Sequence, residues 1–217
     1  MAIYFVRHGE TDCNVKQVYY GSLDADITDN GRKQAEAVGD MLSEVVFDRV
    51  ITSALKRTMQ TAEGVLSRQN PENPEPSEWQ AEAALNEMHF GAWEGLHYTE
   101  VREHYPKDYR DMMDDWVHCP PTEGEVFLDF NHRVLEGWKH LDISEEENIL
   151  FVGHGGTIQC IMCHLLGMDA TNIWHLEIEQ GAYTKFEIRD GFAVLKGMNI
   201  IGRPLSVLDR GGKMILK

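Results

Sequence analysis

The chain has 217 residues, 42% of them hydrophobic and 26% charged, the composition of a globular protein long enough for one domain with a substantial core. Its formal net charge of -16 works against a polyanionic partner, because nucleic-acid binding draws its affinity from Lys and Arg neutralising phosphates. No apolar run approaches membrane-spanning length, and the apolar start at residues 2–6 is far too short for a signal sequence. Neither nucleic acid nor a membrane is therefore an expected partner, and the expected location is cytoplasmic.

In chain order, residues 2–6 form a short run of β-formers suited to a fully buried strand, which ends at a polar turn with Gly9. His8 thus stands just past a strand's carboxyl end. Thr28 is placed to cap a helix over residues 28–44, with Ala35, Val38, Met41, Leu42 and Val45 at near-helical spacing. Residues 48–52 read as a second strand and Ser53 as the N-cap of a helix carrying Leu55, Met59, Ala62, Val65 and Leu66 on one face, with Arg57 in or next to its first turn. Pro71, Pro74 and Pro76 mark residues 67–80 as a solvated loop without a helix or strand of its own. Between residues 97 and 142 two helices are expected, broken at Pro120-Pro121, the second carrying Val126, Phe127, Phe130, Val134, Leu135, Trp138 and Leu141. Residues 148–152 are another buried-type strand, followed by Gly153-His154-Gly155-Gly156 and an apolar helix. Asp190-Gly191, between β-rich runs at 183–188 and 192–196, is a hairpin signal, and the tail after Arg203 has no clear pattern.

Cys160-Ile161-Met162-Cys163-His164 matches a covalent haem-attachment pattern. Its neighbours Ile158, Leu165 and Leu166 point instead to a buried helix that uses cysteine as a small hydrophobe. With four cysteines in a chain of this length and no export signal, reduced thiols are expected.

Strands alternating with helices imply an α/β fold with a mostly parallel sheet, in which ligands bind beyond the strands' carboxyl ends, where helix N-termini favour anions. Three such ends carry His8, Arg57 and His154.

Arg7-His8-Gly9-Glu10-Thr11, Ser53-Ala54-Leu55-Lys56-Arg57 running on to Thr61, Leu85-Asn86-Glu87 and Gly153-His154-Gly155-Gly156 follow one another in an order that resembles the histidine phosphatase superfamily, which also contains the phosphoglycerate mutases. Asn14 and the spaced Gly21, Asp24, Thr28 and Gly31 extend the likeness, which runs from Ala2 to about Ile188. The resemblance implies a three-layer α/β/α sandwich of the phosphoglycerate mutase-like type, one domain over residues 1–217 with a small helical cap inserted at about 88–145, and no metal or cofactor.

It also implies the chemistry. A neutral imidazole attacks phosphorus near pH 7, and a phosphohistidine divides a hard hydrolysis into two displacements. His8 is the expected nucleophile. Arg7, Arg57 and His154 are expected to clamp the phosphoryl oxygens, with Asn14 as a further donor and Gly155 in the substrate site. Glu87 is expected to protonate the leaving oxygen and then activate water. Glu10 and Glu94 compete for that role but do not stand at the motif position, and His89 is close enough to Glu87 in sequence to reach a substrate.

Met88 stands where the mutases carry an arginine, which favours hydrolysis over transfer. Asp115-Trp116-Val117-His118, the stretch Pro121-Thr122-Glu123-Gly124-Glu125, Trp174-His175 and Gln180-Gly181 resemble the branch acting on α-ribazole 5′-phosphate in late cobalamin assembly, with Trp93, Trp116 or Trp174 available to stack on a flat base. The expected partner is accordingly a small phosphorylated molecule, with a homodimer left open. A broad-specificity sugar or nucleotide phosphatase, a mutase, and a non-catalytic phosphate-binding module are the alternatives.

Overall fold

The computed structural model describes residues 1–144 and 146–201, so the segment from Arg203 onward lies outside the described residues. In chain order the regular elements are β1 (Ala2–Arg7), α1 (Asp12–Lys16), α2 (Asp29–Met41), β2 (Arg49–Ser53), α3 (Lys56–Leu66), β3 (Glu78–Glu82), α4 (Tyr98–His104), α5 (Pro106–Asp114), α6 (Phe127–Lys139), β4 (Asn148–Gly153), α7 (Gly155–Leu165), β5 (Tyr183–Arg189) and β6 (Phe192–Ile200). The strands make one six-stranded sheet in the order β3-β2-β4-β1-β5-β6. The first four in that order run parallel, while β5 and β6 are antiparallel to their neighbours.

Successive strand side chains point to opposite faces, and here both faces are covered. Ile3, Phe5, Ile51, Ile149 and Phe151 pack under α6 and α7, whereas Ala2, Tyr4, Val6, Val50, Leu150 and Val152 pack with Val38 of α2 and Ala62 and Val65 of α3. Cys160 and Cys163 are buried in α7 among these apolar residues, and burial pushes both thiols up, which suits a packing role.

The Thr28 cap forms as expected, its hydroxyl accepting from the Gly31 N–H at 3.0 Å. The hairpin also forms, with Asp190 and Gly191 both at positive φ as a two-residue primed turn requires. Three expectations are corrected. The supposed loop at 67–80 contains the start of β3, a short strand that pairs with β2 at the sheet's edge; its mostly exposed residues lack the hydrophobic pattern by which a strand is recognised. The residue before α3 is Leu55, with no side-chain cap, because Ser53 finishes β2 and turns its hydroxyl to Thr58 and His154. Before Pro120-Pro121 there are two short helices, since Pro106 cannot continue α4 and instead opens α5. Within residues 88–145, α6 packs on the sheet, where Trp138 meets Phe5 and Phe151, and its first turn reaches the cavity described next.

Candidate active site

Strand register assembles the site. Arg7 pairs with Gly153 across β1 and β4, so the residues that follow them, His8 and His154, lie side by side with ring centroids 5.3 Å apart. Thr52 of β2 pairs with Val152, which brings Ser53 and then Arg57 to the same edge.

His8 is buried, and its Nδ1 lies 2.8 Å from the Gly9 carbonyl. A carbonyl only accepts, so Nδ1 carries the proton and Nε2 keeps its lone pair. Burial, then the charge of Arg57, holds the imidazole well below its ordinary value of 6.5; the Gly9 bond opposes this and Arg7 adds to it. The ring is therefore neutral near pH 7, the state a nucleophile needs.

Arg57 is fully buried and donates to the carbonyls of Leu23 at 2.8 Å and Gly21 at 2.7 Å, and through Nε to His154 Nδ1 at 3.2 Å. Of the five N–H groups a guanidinium carries, one on each terminal nitrogen remains. Tyr20 covers its face, with Arg57 Cζ 4.8 Å from the ring centroid. Arg7 donates to the Ile178 carbonyl at 2.9 Å, but its buried Nε has no partner among the described residues. A buried unpaired donor is costly unless a ligand satisfies it. Beside it stands Gly155, in the first turn of α7, where the leading N–H groups have no partner inside the helix. Together these groups fit an anion with several oxygens.

His154 enters the site differently from the free donor expected. Its Nδ1 accepts from Arg57 and its Nε2 lies 2.8 Å from Ser53 Oγ, so both nitrogens are engaged. Burial first, and the neighbouring Arg57, His8, Arg7 and Arg133 next, keep this ring neutral as well.

Glu87 reaches the cavity with Oε2 accepting from the Gly156 N–H at 2.9 Å and Oε1 from its own neighbour Met88 N–H at 3.0 Å. The competing carboxylates are placed elsewhere. Glu10 accepts from the Thr28 hydroxyl at 2.8 Å, away from the cavity. Burial would raise the pKa of Glu94, but bonds from the Ser22 N–H and hydroxyl and from the Phe90 and Leu23 N–H groups outweigh it and hold the carboxyl below its ordinary range. His89 is exposed and lines not this cavity but a second groove, which Glu87 also borders together with Glu125 and Arg133. Asn14 Oδ1 accepts from the Thr11 N–H, Tyr20 hydroxyl and Gln180 amide, which fixes the amide's orientation; no described residue accepts from its Nδ2.

Arg7, His8, Arg57, Glu87, Gly155 and Gly156 floor a cavity of about 490 Å³. Its walls are mostly apolar: Met88, Phe90, Met112, Phe127, Phe130 and Ile173, with Trp116 and Trp174 toward the mouth and Gln159 and Glu177 as the polar exceptions. Trp174 is 70% exposed and meets Trp116 edge to face at 5.5 Å. Trp93 is removed from the stacking candidates because it is fully buried, its Nε1 donating to Thr122 at 3.0 Å. Tyr20 is a site residue that motif reasoning did not single out, and Gln180, quoted only as part of a family likeness, is a second one whose role the motif did not give. Gln180 donates to the His8 carbonyl at 3.1 Å and to Asn14, contacts spanning more than 160 residues that no local pattern announces.

Residues 3–201 match the family model described as histidine phosphatase superfamily, branch 1. An adenosylcobalamin/alpha-ribazole phosphatase of Salmonella typhimurium is 37% identical over 201 residues, covering 92% of this chain and 96% of that one. A 2,3-bisphosphoglycerate-dependent phosphoglycerate mutase of Bartonella tribocorum is 30% identical over 184 residues, 82% of this chain and 88% of that one. The crystal structure of the alpha-ribazole phosphatase from Shigella flexneri superposes with a TM-score of 0.85 at 34% identity, covering 94% of this chain and all of the other. The chain belongs to the histidine phosphatase superfamily.

Proposed function

We propose that the chain is a phosphomonoesterase in which His8 Nε2 attacks the phosphorus of a bound ester and water then releases the phosphoryl group. The observation that carries this reading is the state of His8: buried, neutral, held by the Gly9 carbonyl with Nε2 free, and flanked by two arginines that retain unused donors. Arg7 and Arg57 hold the equatorial oxygens and supply positive charge where it builds up in a loose transition state. His154 orients Arg57. Glu87 gives a proton to the leaving oxygen and, in the second step, takes one from the attacking water. The Asn14 amide donates to the phosphoryl group from the side opposite its Gln180 contact.

The substrate we propose is α-ribazole 5′-phosphate. The relative and the solved structure named above act on such a compound by name, and the cavity has the matching chemistry, a cationic floor for the phosphate beneath apolar and aromatic walls for a flat base. Met88 supports hydrolysis, since a thioether in that wall offers no charge to hold the carboxylate of a phosphoglycerate. Acid-quenched enzyme should carry phosphate on His8, and H8A should carry none. With excess EDTA, kcat/KM should favour α-ribazole 5′-phosphate over 3-phosphoglycerate and an aryl phosphate by roughly a hundredfold, about 3 kcal/mol of transition-state binding. Similar slow rates on all three would leave the histidine mechanism standing and remove the substrate assignment.

A further inference from the structure

Arg133, on the face of α6 turned toward the Glu87 loop, spends every donor it has. Its Nε and Nη2 hold the Glu125 carboxylate in a two-pronged pair at 2.9 and 2.8 Å. Nη1 donates to the carbonyls of Ala84 at 2.9 Å and Asn86 at 3.1 Å, and Nη2 also approaches that of Glu87 at 3.5 Å. One guanidinium thus gathers three carbonyls of a four-residue stretch with no helix or strand to fix the last two. Glu125 completes the clamp, since its Oε2 also accepts from the His89 N–H at 3.3 Å, so the pair grips the loop on both sides of Glu87. Their side chains are only 31% and 18% exposed, so solvent screens the pair less than an ordinary surface contact.

We infer that Arg133 and Glu125 are positioning residues for Glu87, fixing the backbone from which its carboxyl reaches the leaving oxygen. The inference rests on the reading of Glu87 as proton donor. Neither residue touches the cavity floor, and the physical reason for an arginine is geometric: a planar fork can chelate a carboxylate and three carbonyls at once, whereas an ammonium is a single point of charge. A carboxyl displaced by even an ångström loses much of its value in proton transfer, because the donor must lie within hydrogen-bonding reach of the departing oxygen.

The test is a leaving-group series on R133K, E125Q and E87Q, with active sites counted by phosphohistidine burst and melting followed in parallel. In the first step, read as the rate of the phosphohistidine burst, the three variants should slow phosphorylation of His8 by an alkyl phosphate, with R133K losing about tenfold, while phosphorylation by a nitrophenyl phosphate, whose leaving group needs no proton, changes by less than about twofold. A merely structural role would lower the melting temperature and slow both esters alike. E125Q keeps Arg133 in place and reads the same split should R133K fold poorly. A split for E87Q with none for R133K and E125Q overturns the positioning role alone. No split for E87Q removes the proton-donor reading, and the positioning role with it.

Discussion

Arg57 Nε and His154 Nδ1 lie 3.2 Å apart, so that the imidazole accepts a hydrogen bond from the cation it stands beside. This contact has a consequence for ligand binding. With Ser53 on Nε2, the neutral ring offers the site no proton of its own; it becomes a donor toward the site only when protonated at Nδ1. A phosphoryl dianion would counter the burial and the cationic neighbours that keep the ring neutral. Adding inorganic phosphate or vanadate should raise the His154 pKa, read from its ring proton shifts in an NMR titration. An unchanged titration would mean that the ring serves solely to orient Arg57.

The two buried imidazoles also set the pH dependence of stability. Both have folded-state values well below the ordinary 6.5, so below that pH the unfolded chain binds protons that the folded chain refuses. Stability is therefore full above pH 6.5 and falls as the solution is acidified, each ring contributing up to about 1.4 kcal/mol per pH unit. Denaturant unfolding of wild type and H8A at a series of pH values should show the variant's dependence shallower by one such increment. Parallel curves would mean that His8 is protonated in both states or neither.

What the sequence made legible was whatever recurs locally. The strand, turn and helix order placed His8, Arg57 and His154 at one sheet edge, because parallel register converts equivalent positions on different strands into neighbours. The capping threonine and the Asp190-Gly191 turn obey rules that act within a few residues. The edge strand β3 escaped because half-solvated edge residues need no hydrophobic alternation. Ser53 was misplaced by the same logic that found Thr28: a serine before a helix is a good cap, but tertiary packing gave its hydroxyl to His154. Tyr20 and Arg133 were invisible for a different reason, and Gln180 was seen only as part of a likeness, since each acts through partners brought together only by the fold.

Trp174 offers a test of the apolar wall that leaves the fold intact. A side chain 70% exposed contributes little to the core, so W174A should melt within about a degree or two of wild type. Stacking of a base on an aromatic ring is worth about 1–3 kcal/mol, which predicts a loss of roughly five- to a hundredfold in kcat/KM for α-ribazole 5′-phosphate. A small ester such as a methyl or glycerol phosphate, too short to reach the mouth, should be hydrolysed as before. Equal losses on both would place Trp174 in loop closure rather than in base recognition.

Gly156 separates catalysis from stability more sharply. A Cβ built there would lie 2.6 Å from Glu87 Oε1, closer than two unbonded atoms tolerate, and the backbone N–H of the same residue holds Oε2. The atom in the way is the end of a flexible side chain, so G156A needs no backbone shift; the carboxylate swings aside. Alanine in a helix is favoured over glycine by about 1 kcal/mol, which offsets the lost hydrogen bond, and the melting temperature should hardly move. Turnover should not survive so well. A proton donor contributes about a hundredfold or more when correctly placed, and G156A should lose most of that in the phosphorylation of His8 by alkyl phosphates while keeping the phosphohistidine burst with nitrophenyl phosphate. A variant that stays folded and hydrolyses both esters at the wild-type rate would show that the position of the Glu87 carboxyl in the free enzyme is not the position from which it acts.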